Sequence, residues 1–384
     1  MPAPHLPDYD LDACRCQIPL LATTIPMNNC SQAPQTLATR AAAERYLASW
    51  NGDGMDWDAW MAEVRLARAA FARLVGADED EIAVCSSVSE AVSAVASALD
   101  FSGRRRRVVA SEAEFPTVGH AWLAQARRGA EVAWVPVQGG VVDASDYEAR
   151  IDDDTLAVSA CHGYYLDGFV QDVRQIAELA RARGALSFVD AYQTAGAVPI
   201  DVHAMGVDCL ASGCLKYLMG VPGIAFLYVR RALIERLEPL VTGWFGRVDP
   251  FAFDAKRLDW SPTASRFDTG TPPVMNAYVA RAGIESLEAL GVDRIRRWHE
   301  VLAQRLIDGG RARGLTVLGT DDVARKTAST AFVVDDAHAV ERAMRARGVL
   351  ASARGPVIRL APHYYSTLDD VDTALDALAA VARA

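Results

Sequence analysis

Between about residues 81 and 230, short apolar runs alternate with amphipathic stretches. The runs at 81–85, 108–110, 132–135, 156–159, 186–189, 209–211 and 224–229 read as strands. The stretches at 89–99, 117–128 and 173–183 place apolar residues at helical spacing. Strands this short, apolar at consecutive positions, predict a mostly parallel sheet with helices on both faces. The texture changes beyond about residue 275. A helical stretch over 277–313, broken near Gly291, precedes apolar runs at 315–318, 330–334 and 357–360, a helix around 339–347 and a last helix over 369–382. This is the pattern of an α+β lobe. The expected architecture is α/β: a large, mostly parallel sheet domain over 20–260, and a smaller α+β C-terminal domain over 261–384 that also takes in the N-terminal segment 1–19. Residues 243–273, rich in Gly, Pro, Asp and aromatic side chains, read as a long functional loop between the lobes.

Composition narrows the function classes. A chain of 384 residues with 51% hydrophobic content can bury the core of two lobes. A formal net charge of −10 argues against nucleic acid as a partner, and the one basic run, Arg104-Arg105-Arg106-Arg107, reads as a solvated loop edge. No stretch approaches the ~20 apolar residues of a membrane span. The start, Met1-Pro2-Ala3-Pro4-His5, lacks the basic and apolar parts of a secretion signal. Seven scattered cysteines do not form a disulfide framework, and Cys14-Arg15-Cys16 lacks the second pair that a metal site needs, so no metal is expected. A cytoplasmic location follows as the expectation. Of 39 basic residues only three are lysines, Lys216, Lys256 and Lys326, so amine chemistry has three candidates.

Two of the chain's motifs suit such chemistry. Phe188-Val189-Asp190-Ala191-Tyr192-Gln193 puts a carboxylate at the carboxyl end of an apolar strand, where open α/β sheets bind ligands. Twenty-six residues further on, Lys216 stands in Ser212-Gly213-Cys214-Leu215-Lys216-Tyr217-Leu218-Met219-Gly220. A lysine and a strand-end carboxylate suit pyridoxal phosphate, which attaches through an amine and needs its ring nitrogen kept protonated.

The region resembles fold-type I pyridoxal-phosphate enzymes of the aminotransferase class V superfamily, which includes cysteine desulfurases, kynureninases and several aminotransferases. The likeness runs from about Asn28 to the C-terminus. It implies that Lys216 carries the cofactor as a Schiff base, that Asp190 pairs with the ring nitrogen and that Gln193 bonds the ring oxygen. Val88 and Ser89 open a helix and match the phosphate-binding turn, a role with its own physical basis in the free N–H groups of a helix start. Phe115, in Glu114-Phe115-Pro116-Thr117, matches the ring that stacks on the cofactor. Ser212 lies where a small hydroxyl helps hold the phosphate, and Tyr165 falls near the cofactor. Gly243-Trp244-Phe245-Gly246 and Arg266-Phe267-Asp268-Thr269-Gly270-Thr271 resemble segments that reach across a homodimer interface. This implies composite sites in which Trp244 and Thr271 touch the cofactor. Val357-Ile358-Arg359-Leu360 resembles the strand whose arginine grips the substrate carboxylate, and Asn29 lies near a region that touches substrate.

Departures from the relatives bear on the reaction. The stretch 350–356 lacks the nucleophilic cysteine of desulfurases, and Leu215 stands where they have a histidine beside the lysine. Gln193 and Val118 replace the histidine and the acidic residue of kynureninases. The resemblance therefore implies an enzyme acting on an amino-acid substrate through an external aldimine, with transamination first. β-Elimination or C–S bond cleavage comes next, then epimerisation, and a non-catalytic binding protein of the same fold is the reading from another class. His162 could line the pocket or be structural, and the tryptophan-rich stretch around 50–60 reads as a loop at the substrate mouth.

Overall fold

The computed structural model describes residues 6–382; the start Met1 to His5, read above for a secretion signal, lies outside them. The strands in chain order are β1 (Ile25–Pro26), β2 (Ile82–Cys85), β3 (Arg107–Ser111), β4 (Glu131–Val135), β5 (Thr155–Cys161), β6 (Leu186–Asp190), β7 (Cys209–Gly213), β8 (Ala225–Val229), β9 (Val317–Leu318), β10 (Thr330–Val333), β11 (Val349–Leu350), β12 (Ser352–Arg354) and β13 (Val357–Leu360). Seven of them form one sheet in the order β2-β8-β7-β6-β5-β3-β4. Only β8 runs against its neighbours; β3, β4, β5, β6 and β7 pair in parallel. The carboxyl ends of β2, β3, β5, β6 and β7 therefore share one edge, and the loops that follow them meet there.

Both faces of this sheet are covered, which explains the unbroken apolar runs. Phe188, Ala211 and Leu227 pack to one side, beneath the helices α3 (Val88–Ser97) and α4 (Pro116–Leu123). Val189, Leu210 and Phe226 pack to the other, with α1 (Leu37–Asp53), α2 (Trp57–Val75), α5 (Val173–Ala182) and α6 (Val274–Leu290). The small lobe is an antiparallel sheet β12-β13-β10-β9 against α7 (Val292–Ala312), α8 (Ala337–Arg345) and α9 (Leu368–Ala382).

Packing changes at places other than residue 260. The apolar face of α6, with Ala277, Ala280, Ile284 and Leu287, belongs to the large lobe's core, so the helix after the joining loop packs backwards onto α1 and α2. Conversely β1 pairs with β11, fastening residues 25–26 to the small lobe. The tryptophan-rich stretch is not a loop: Trp50 ends α1, and Trp57 and Trp60 begin α2. Their rings join a cluster in which Trp57 meets Trp244 edge-on at 6.1 Å.

Close approach of α6 to the loop after β7 depends on Gly283, where a Cβ would lie 2.3 Å from the carbonyl oxygen of Leu218. Gly283→Ala is expected to destabilise the fold by about 1–3 kcal/mol, because backbone must move to admit the methyl group. Gly52→Ala, in open space on α1, serves as the control and should leave the midpoint unchanged or slightly raised. Urea unfolding of both variants checks the contrast; equal midpoints would contradict the packing.

Candidate active site

The loops at the shared sheet edge enclose a cavity of about 300 Å³. Lys216 reaches it from the turn after β7. That turn is tightly bent: Gly220 N–H donates to Cys214 O at 2.8 Å, Met219 N–H to Lys216 O at 3.0 Å, and Met219 takes φ +58°. A left-handed non-glycine residue costs about 1–2 kcal/mol, so the surrounding bonds hold a strained turn whose effect is to present the lysine. From the small lobe, His363 Nε2–H donates to Tyr217 O at 3.0 Å, pinning the residue after Lys216. Glycine at 213 is required because a Cβ there would lie 2.3 Å from the Tyr192 ring.

The amine itself sits 4.1 Å from the centre of the Tyr192 ring and 5.6 Å from that of Phe115. Burial pushes its pKa down to about 8; Asp190 works against that shift, and Arg359 and Arg354 add to it. Asp190 ends β6 inside the same cavity. Its Oδ1 accepts the Tyr192 N–H at 2.8 Å, and burial raises its pKa against the pull of that bond and of Lys216. Behind it, buried Glu114 is pushed up to about 8, first by burial and then by the charge of Asp190. The two carboxyls are thus electrostatically linked, and burial raises the pKa of both.

Opposite these groups, Ser86 to Ser89 lead from β2 into α3 along the cavity wall. Ser87 caps the helix, its hydroxyl accepting the Glu90 N–H at 3.2 Å, and Glu90 in turn accepts the Ser86 N–H at 2.6 Å. The first-turn amides of Val88 and Ser89 have no intrahelical acceptor by position, so they remain for an anion. Phe115 and Tyr165 meet edge-on at 5.3 Å on the same wall. Gln193 also lines it, its Nε2 donating to Cys30 O at 3.1 Å.

Arg359 enters from β13 and is 1% exposed. Its guanidinium donates to Tyr165 O, to Ser31 Oγ at 2.9 Å and to Ser352 Oγ at 2.7 Å, while Nε is buried with no partner. Every partner is a neutral oxygen. A buried cation held this way is costly until an anion arrives.

Val88, Ser89, Phe115, Tyr165, Asp190, Gln193, Lys216 and Arg359 are thus gathered at one cavity. Four other candidates are not. Ser212 lies within β7, its hydroxyl donating to Gly213 O at 3.1 Å. Asn29 is consumed by structure: Nδ2 donates to Ala361 O and Oδ1 accepts the Tyr365 hydroxyl, each at 2.8 Å. Trp244 lines a separate surface recess with Phe253, and Thr271 is exposed; neither reaches the cavity of its own chain. His162 is structural, its Nδ1 2.9 Å from Thr194 Oγ1 and its pKa lowered to about 4 by burial. The sequence reading gave no role to Tyr192, Ser31, Cys30 and Arg354, which also line the cavity. For Tyr192 the signal was there, two residues after the carboxylate.

These groups match what pyridoxal phosphate needs: an amine for the aldehyde, a buried carboxylate for the ring nitrogen, aromatic walls and a helix start for the phosphate. The family model for aminotransferase class V matches residues 28–358. The chain is 37% identical to the uncharacterized aminotransferase YcbU of Bacillus subtilis (strain 168), over 98% of each chain. It is 28% identical to the kynureninase of Burkholderia mallei (strain SAVP1), over 91% of this chain and 87% of that one. Its fold superposes on the apo structure of a cysteine desulfurase from Thermococcus onnurineus NA1 with TM-score 0.89 and 22% identity, covering 98% and 100% of the two chains. The chain belongs to the aminotransferase class V family, and it is a pyridoxal-phosphate-dependent enzyme of the aminotransferase or lyase kind.

The depressed pKa gives a direct test. A lysine amine titrating near 8 is neutral above that pH, whereas an unperturbed one needs about 10.4. Reductive labelling of cofactor-free protein, read peptide by peptide, should show Lys216 reactivity rising through about pH 8. Asp190→Asn should move that midpoint lower, since the carboxylate favours the protonated amine; a midpoint that stays put or rises would contradict the assigned coupling.

Proposed function

We propose that this member of the class V family transaminates an amino-acid substrate, working as a cytoplasmic homodimer with composite active sites. The observation that carries the reading is the shared cavity of Lys216, Asp190 and Arg359, with an amine whose pKa is lowered to about 8, a carboxyl group beside it and a buried guanidinium held only by neutral oxygens. When bound, the cofactor supplies an electron-withdrawing ring that stabilises negative charge at the substrate's α carbon. Asp190 would keep the ring nitrogen protonated, while Gln193 and Phe115 would orient the ring. The amides of Val88 and Ser89 hold the phosphate, joined by Thr271 of the partner subunit. Arg359 binds the α-carboxylate and so fixes which substituent of the α carbon faces Lys216. Lys216 Nζ would then accept the substrate's α proton and hold it for return, the proton-moving role that transamination requires.

Support for transamination over C–S cleavage comes from the stretch 350–356. It folds as the hairpin of β12 and β13 and contributes Arg354, and no cysteine of its own, to the cavity wall. β-Elimination remains the second reading, favoured by relatives named for lyase activities. The dimer is supported by an apolar surface on the joining loop, where Phe253 is 74% exposed and Phe251 and Leu258 are exposed beside it. Isolated solvation of such a patch is unfavourable. A reducing compartment is supported by seven free cysteines. Among the described residues no helix is long and apolar enough to cross a membrane.

Transamination is tested by the half-reaction. Holoenzyme mixed with an amino donor and no acceptor should lose its yellow absorbance stoichiometrically, yielding the pyridoxamine form and one keto acid per site. Ammonia and a keto acid released catalytically, with the yellow form retained, would establish the lyase instead. Lys216→Ala should abolish either.

A further inference from the structure

The charges on the cavity wall do not balance once the cofactor and an ordinary amino acid are accounted for. Three cationic side chains line it, Lys216, Arg354 and Arg359, against one carboxylate, Asp190. Asp190 is committed to the ring nitrogen, the helix start to the phosphate and Arg359 to the α-carboxylate. Arg354 has no assigned partner.

Its placement is fixed by strand register. Ser352 pairs with Arg359, Ala353 with Ile358 and Arg354 with Val357 across the β12–β13 hairpin. Directly opposed residues share a face of the sheet, and alternate residues return to it. Ala353, Ile358 and Leu360 lie in the small lobe's core. Ser352, Arg354, Val357 and Arg359 therefore point the other way, towards the large lobe and the cavity. Arg354 and Arg359 rise from that face as diagonal neighbours, about 7–8 Å apart at their roots. The charge of Arg354 is felt at Lys216.

Two like charges on adjacent sheet positions repel unless an anion lies between or beside them. Here no protein anion does: the Arg354 guanidinium donates only to Ala353 O, at 2.8 Å, and makes no ion pair among the described residues. Arg359 is satisfied by neutral oxygens alone. The arrangement suits a ligand with two anionic groups, one for the buried guanidinium and one for the exposed guanidinium at the cavity mouth.

We propose that Arg354 is a specificity residue which binds a second acidic group on the substrate, so that the amino acids processed are those with an acidic side chain. The inference rests on the reading of Arg359 as the α-carboxylate site. It goes further in naming what the neighbouring arginine selects. A carboxylate, sulfinate or sulfonate two or three bonds beyond the α carbon carries the required charge, and a forked guanidinium binds any of them through paired N–H groups.

The test uses unreactive probes on cofactor-loaded protein, so turnover is not required. Isothermal titration compares succinate with butyrate and glutarate with pentanoate, pairs that differ by one carboxylate at equal chain length. At least one dicarboxylate should bind about tenfold or more tightly than its partner, the gain of one charge-assisted contact. Arg354→Gln should remove that preference, leaving both members of the pair within about threefold. Arg354→Lys, which keeps the charge but loses the fork, should retain part of it. Wild-type protein that binds both members alike, or binds neither, overturns the proposal. So does an Arg354→Gln protein that keeps the preference, or one whose loss is of cofactor rather than of dicarboxylate. Cofactor loading is followed separately by absorbance, so failure of the underlying cofactor assignment shows as protein that never turns yellow.

Discussion

An amine that attacks an aldehyde at neutral pH has to be uncharged, yet it must sit beside a carboxylate that favours its charged form. The fold resolves this conflict through burial. Lys216 loses enough water to titrate near 8 even with Asp190 at hand, and much of the surrounding structure follows from keeping it there. The strained turn at Met219, the bare glycines at 213 and 283 and the His363 bond to Tyr217 O all bear on the position of that side chain. Buried Glu114 has its pKa raised to about 8, first by burial and then by the charge of Asp190.

The two lobes divide the work. The large lobe supplies the amine, the carboxylate and the helix start from the carboxyl edge of its sheet, the usual ligand position in open α/β folds. The small lobe supplies Arg359 and Arg354 from one hairpin. Besides apolar packing, the lobes make specific polar contacts. Arg359 donates to Tyr165 O, and buried Lys326 donates to Asp167 O, so the loop at 163–170 is clamped from the small-lobe side. Any shift of one lobe against the other moves Arg359 relative to Lys216.

What could be read from the sequence was what depends on local pattern. Asp190 stands at the end of a strand apolar on both faces, Lys216 is one of three lysines, and Arg359 interrupts an apolar run; each is conspicuous without knowledge of the fold. The strand series and the break at Gly291 were visible for the same reason. Contacts between distant segments were not. Nothing local marks Ser31 as a partner of Arg359, 328 positions away, or the backward packing of α6 that moves the lobe division. Asn29 and Ser212 were placed by proximity in sequence to site segments, but their side chains are spent on Ala361, Tyr365 and Gly213. Trp244 and Thr271 lie apart from the cavity of their own chain.

The covalent attachment on which the account rests can be measured in one experiment. Protein purified with pyridoxal phosphate is reduced with borohydride, digested and mapped by peptide mass spectrometry. The account predicts a single stoichiometric pyridoxyl phosphate adduct on the peptide containing Lys216. An adduct confined to Lys256 or Lys326, or none at all, would contradict it.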